Sequence, residues 1–191
     1  MGGASSSQLP AKGINQPSMY NRIAVTGAAV LAFFCTSFAP EAGRTLPSVE
    51  VKSLDSKSVD ISTISNDGKP MIVFAWEVIC QPCINEFNAI APLYEAWKAE
   101  TGVKIVAVSV DDNRSSTRVR PLVRTKGWPF DVYLDPNQAF KRAMNVPLCP
   151  YVFVLNGKGE VVWQKGGYSP GDEAIIYDVV KKVAKGETIE K

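Results

Sequence analysis

Two short runs decide what this chain can fold into. Met71 to Trp76 is continuously apolar, and Val103 to Val110 is rich in Val and Ile. Runs of that length without alternation suit strands buried on both faces, and a helix is the usual crossover between such strands. The residues between them supply it. Phe87, Ile90, Leu93, Tyr94 and Trp97 recur at three- and four-residue steps, so a helix from near Cys80 to about Glu100 carries one apolar face. Pro92 falls inside that helix and predicts a kink, and Gly102 ends it.

The flanking segments extend the pattern. Val49, Val51, Val59 and Ile61 alternate around Asp55-Ser56-Lys57 and read as a small hairpin. Downstream, a helix from about Ser115 to Lys126 is marred by Pro121. Trp128-Pro129-Phe130 leads into a strand through Leu134, and a brief helix runs from Asn137 to Met144. Val152 to Leu155 and Val161 to Trp163 flank Asn156-Gly157-Lys158-Gly159, a strong hairpin signal, and Ala174 to Ala184 closes as an amphipathic helix. This order implies an α/β fold, a central mixed β-sheet flanked by helices on both faces, with an N-terminal β-hairpin.

Before Gly43 the character differs. Residues 1–18 are small and polar, as in a disordered tail or an expression scar. From Met19, Arg22 precedes an uncharged run from Ile23 to Ala39 of about 17 residues, at the lower edge of what spans a bilayer. Three readings of residues 19–42 compete: a signal peptide cleaved near Ala39, an uncleaved N-terminal membrane anchor, and lipid attachment at Cys35. All three put the domain, residues 43–191, in a periplasmic or other extracytoplasmic space, secreted or anchored. One domain is what about 150 residues suit.

Composition removes whole classes of chemistry. The chain has no histidine, which excludes Ser-His-Asp and Cys-His nucleophile arrangements and every His-liganded metal site. Its net charge is +2 with Lys and Arg dispersed, so no nucleic-acid footprint appears. Cysteines and carboxylates are left to carry any chemistry. Of four cysteines, Cys35 lies in the leader, leaving Cys80, Cys83 and Cys149 in the domain.

Cys80-Gln81-Pro82-Cys83 follows directly on the first apolar run. Two thiols at that spacing close a disulfide within one helical turn, and the motif beside a strand-helix-strand pattern reads as a redox site. A stapling disulfide is the plainer reading, but so short a loop removes little unfolded-state entropy. A zinc site would need two further ligands, and the domain offers one cysteine and no histidine.

Trp76, the Cys80-Gln81-Pro82-Cys83 motif, Glu86, Val108-Ser109-Val110-Asp111, and Cys149-Pro150 ahead of Tyr151-Val152-Phe153-Val154 together resemble the TlpA/ResA-like branch of the thioredoxin superfamily. The resemblance runs from about Leu46 to Lys185. It departs at Ile79, where a second tryptophan is frequent, at Asn88, where proline is frequent, and at Cys149, where threonine is frequent.

The resemblance implies a thiol-disulfide oxidoreductase, more a reductant than an oxidant, with no cofactor beyond a redox-active Cys80–Cys83 disulfide. Cys80, at the first turn of its helix, would be the nucleophile and Cys83 the resolving thiol. Pro82 would stiffen the turn, and Gln81 adds no charge to it. Glu86, one turn beyond Cys83, is either the proton carrier for that thiol or an exposed helix glutamate; Glu77 is a second nearby acid. Pro150 would be a cis-proline, with Pro147 the competing candidate, presenting the Cys149 backbone to an extended substrate.

Trp76 and Trp128 are candidates for the rim of the site or for the core. Cys149 is a small filler, an extra redox thiol, or a third ligand for a soft ion such as Cu(I). Implied partners are protein disulfide substrates, such as apocytochrome c or copper-site assembly proteins, and a membrane or periplasmic electron donor. Two readings from other classes stand beside this one. A copper-binding protein would use Cys80, Cys83 and Cys149 together, and a peroxiredoxin-like peroxidase would need an activating arginine and threonine not found near Cys80.

Overall fold

A computed structural model describes residues 43–189. The readings of the leader, the tail before it and Cys35 lie outside those residues. Among the described residues, no helix is long and apolar enough to cross a membrane.

The two apolar runs become β3 (Met71–Trp76) and β4 (Lys104–Ser109), which pair in parallel from Met71↔Lys104 to Trp76↔Ser109. The crossover between them is α1 (Gln81–Ile90), a single turn of tighter helix over Ala91–Leu93, and α2 (Tyr94–Thr101). Pro92 sits in that tighter turn, so the expected kink is a change of helix type where proline removes an N–H. Gly102 ends α2 at φ 69°, a left-handed conformation that costs a residue without Cβ little.

β1 (Glu50–Ser53) and β2 (Ser58–Asp60) pair antiparallel. After β4 come α3 (Val119–Lys126), β5 (Asp131–Leu134) and α4 (Ala139–Ala143). β6 (Tyr151–Leu155), β7 (Val161–Gly166) and α5 (Asp172–Ala184) complete the chain. The seven strands form one sheet in the order β2-β1-β5-β4-β3-β6-β7. It is mixed: β3, β4 and β5 are mutually parallel, and β1, β6 and β7 run against their neighbours.

Side-chain parity divides the core. Ile72, Phe74 and Trp76 pack under α1, α2, α3 and α5, while Met71, Val73 and Ala75 pack against Phe140 of α4, Met144 and Ile61 on the other face. Both faces are covered, which is why β3 shows no alternation in sequence.

Two details depart from the sequence expectation. Pro121 does not mar α3, because it lies in the first turn, where its missing N–H has no intrahelical partner to lose. α4 begins later than Asn137, since Gln138 takes a φ of 54° and buried Asp135 accepts the N–H groups of Ala139 and Lys141 at 2.8 and 2.9 Å. In the β6–β7 turn the positive φ falls on Gly159, at 80°. Gly157 serves a different end, since a Cβ there would lie 2.0 Å from the Gly68 carbonyl oxygen.

Candidate active site

The site forms where β3 hands over to α1. Past Trp76 the chain is pinned by Asp111, just beyond β4, whose carboxylate accepts the Val78 N–H at 2.9 Å and the Ser109 hydroxyl at 2.8 Å. Cys80 is then the N-cap of α1. Its Sγ accepts the Cys83 N–H at 3.2 Å, and its extended backbone (φ −82°, ψ 96°) starts the helix. Cys80 and Cys83 are joined by a disulfide, with Cα atoms 5.3 Å apart.

The two sulfurs are not equivalent. Cys80 is half-buried and Cys83 is 0% exposed, so an incoming thiol or disulfide meets Cys80 first. An N-cap sulfur facing unpaired helix N–H groups is stabilised as a thiolate. Gln81 and Pro82 are exposed in the first turn, and the Gln81 amide donates to Asn85 Oδ1 at 2.9 Å.

In the loop before β6, the Cys149–Pro150 peptide bond is cis and Pro147 has no cis bond. Pro150 is buried, and its carbonyl accepts the Gly167 N–H at 2.8 Å, which ties the β7–α5 connection to this loop. Cys149 is a free, half-buried thiol packed, like Cys80, against the core beneath α1. Burial and the nearby Glu77 carboxylate push its thiol up to about 12, against the pull of Lys141. Glu77 and Lys141 are themselves ion-paired at 3.2 Å. Ile79 and Leu148, each immediately before a cysteine, are 72% and 50% exposed.

The tryptophans lie in the core and not at the rim. Trp76 is 0% exposed and meets Phe87 and Trp128 edge-on at 5.4 and 5.6 Å, so it cannot touch a substrate here. Its place follows from strand parity with Phe74. Trp128 is 6% exposed and donates its indole N–H to Asn88 Oδ1 at 3.1 Å, which gives the unexpected Asn88 a structural role.

Glu86 is not an exposed helix residue. It is 1% exposed, its Oε2 has no hydrogen-bond partner, and burial lifts its carboxyl from 4.5 to about 8. Lys165 opposes that rise, while Asp172 and Glu173 add to it. Such a carboxyl, one turn from buried Cys83 on the same helix, can exchange a proton near neutral pH.

The three cysteines do not make a ligand set in this state. Two are consumed in the disulfide, and among the described residues no three Cys, Asp or Glu side chains are gathered for a metal ion. Sequence reasoning gave no role to Asp111, although an acid just past a buried strand end is a signal worth following. It also passed over Lys165 and Asp172, whose nearness to Glu86 is tertiary.

Comparison with known proteins fits this geometry. The AhpC/TSA family profile matches residues 42–164. The thiol-disulfide oxidoreductase ResA of Bacillus subtilis is 30% identical over 146 residues, covering 76% of this chain and 78% of that protein. A thioredoxin-like protein from Porphyromonas gingivalis, solved in solution, is 41% identical with a TM-score of 0.67, covering 73% of this chain and 92% of that one. A structure titled as a DsbE-type thiol:disulfide interchange protein from Chlorobium tepidum shares the fold at 22% identity and a TM-score of 0.64, covering 74% and 96%. The chain therefore belongs to the AhpC/TSA family and is a thiol-disulfide oxidoreductase of the ResA kind.

Proposed function

We propose that this chain works outside the cytoplasm as a reductant of disulfides in partner proteins, exported or anchored by residues 19–42. The observation that carries the reading is the unequal exposure of the two sulfurs at the helix start, Cys80 reachable and Cys83 fully buried. In the dithiol form, the Cys80 thiolate attacks one sulfur of a client disulfide and the other leaves with the bonding pair, forming a mixed disulfide. Cys83 then gives its proton to Glu86 and attacks Cys80. The Cys80–client bond breaks, the Cys80–Cys83 disulfide forms, and the client departs reduced.

The half-buried Cys149 packs against the same core as Cys80, so the loop that carries it is where a client strand would lie in this cycle. Clients of the apocytochrome c or copper-site assembly kind fit the reading, because their cysteines must be kept reduced where no glutathione or thioredoxin pool does so. Re-reduction requires a dithiol donor in or beyond the membrane. No separate cofactor enters the cycle.

An equilibrium redox titration of the 191-residue chain, with Cys149→Ser alongside, tests the direction. A two-electron midpoint near about −270 mV or lower is expected, and one near about −120 mV would make the chain an oxidant. Exchange that starts only after a chelator strips metal, and without that delay in Cys149→Ser, would replace the reductase reading with a metal site.

A further inference from the structure

Glu86 has one opposite charge close enough to oppose its burial, and that charge is built into the sheet. In the register of β3, β6 and β7, Phe74 stands beside Val152 and Val152 beside Lys165. Cross-strand partners share a face. Phe74 meets Phe87 of α1 at 5.2 Å, so the same row places Lys165 on the face that α1 and α5 cover. Glu86 precedes Phe87 on α1, and Asp172 opens α5 at 7% exposed.

Lys165 is held in that place. Its ammonium donates to Asp172 Oδ2 at 2.5 Å and to the Gly167 carbonyl at 3.3 Å. Asp172 Oδ2 also accepts the Ser169 N–H at 2.7 Å, fixing the turn between β7 and α5. Glu173 is engaged elsewhere, accepting from the Tyr168 hydroxyl at 3.2 Å and the Gly171 N–H at 3.1 Å. The charged and titratable groups whose fields reach Glu86 are Lys165 from β7, Tyr168 from the connecting loop, and Asp172 and Glu173 from α5, while Cys83 lies one turn before it on α1.

We propose that Lys165 and Asp172 act as a positioning pair that sets the pH at which Glu86 accepts the Cys83 proton. The inference rests on the reading of Glu86 as proton acceptor given above. When the proton arrives, Glu86 passes from carboxylate to neutral acid. Lys165 favours the carboxylate and Asp172 disfavours it, so the balance of the two decides how far burial lifts the midpoint. Two adjacent charges of opposite sign therefore predict opposite shifts on removal, which a merely structural pair would not give.

The test uses the full chain at low ionic strength. The Glu86 carboxyl is titrated by carbon NMR in the oxidised state, and the pH dependence of exchange with a cystine-bridged peptide is measured in the reduced state. Lys165→Met raises both midpoints by about one unit and Asp172→Asn lowers both by about half a unit. Lys165→Arg, which keeps the cation, restores the wild-type midpoints even if Lys165→Met loses stability. Midpoints that stay put, or that move the same way in Lys165→Met and Asp172→Asn, overturn the inference while leaving Glu86 as the acceptor if Glu86→Gln abolishes the pH dependence. A rate profile that Glu86→Gln leaves in place overturns the Glu86 reading and this inference together.

Discussion

Replacing Glu86 by glutamine in the oxidised chain isolates the energetic consequence of burying an ionisable group beneath the active-site helix. In the unfolded chain the carboxyl ionises near its ordinary 4.5, while in the native state burial holds it protonated to about 8. Between those values folding takes up a proton. Stability contributed by this group is full below about pH 4.5, falls as pH rises, and is lost above about pH 8. At 1.36 kcal/mol per unit, the rise sets a ceiling of about 5 kcal/mol.

Relaxation and water entry lower idealised burial penalties, so about 3 kcal/mol is the expected size. Glutamine keeps the shape and cannot ionise. Urea denaturation of both proteins from pH 4 to pH 9 should give nearly equal stabilities at the acid end and a variant more stable by about 3 kcal/mol at the alkaline end. Taking the difference cancels Asp111 and Asp135, which burial also raises. The disulfide keeps Cys80 and Cys83 from titrating. A difference that stays flat across this range would refute the argument.

Other consequences are as concrete. Cys83→Ser should accumulate a mixed disulfide between Cys80 and a client, visible on a non-reducing gel; a Cys83-linked adduct in Cys80→Ser would reverse the assignment. Asp111→Ala strands the Val78 N–H and should cost about 1–3 kcal/mol by chemical denaturation, and a variant as stable as wild type would show that the bond at 2.9 Å does not hold the loop. Gly157→Ala places a methyl 2.0 Å from the Gly68 carbonyl and should cost about 1–3 kcal/mol, while an unchanged melting temperature would mean that the two turns separate freely.

What the sequence discloses is what local pattern encodes. β3, the break at Pro92, β4 and α5 were legible because each is marked by a run, a breaker or a helical stripe. For Trp76 the sequence left rim and core both open, because nearness to a motif does not say which face a side chain takes. Its parity with Ile72 and Phe74 does, and it assigns the indole to the core under α1. Lys165 was out of reach for a different reason. It stands between Gln164 and Gly166 near the end of an outer strand, and only the pairing of Val152 with Lys165 brings it under α1. Register of that kind is fixed by the folded sheet and leaves no mark at any single position.

The presence of a third cysteine poses a problem that the environment resolves. Cys149 shares the core edge with Cys80, and a competing thiolate there could attack the disulfide from within and scramble the exchange. Attack requires the thiolate. With burial pushing the Cys149 thiol up to about 12, that thiolate is scarce at pH 7. Burial and the Glu77 carboxylate, the larger causes, thus disfavour a thiolate at Cys149, while the N-cap position favours one at Cys80. Burial disfavours the anion at both Glu86 and Cys149, but it lifts Glu86 only to about 8, where the carboxyl can still exchange a proton near neutral pH, and Cys149 to about 12, where the thiol stays protonated. In the proposed cycle, a site with three sulfurs can in this way run an exchange that uses two.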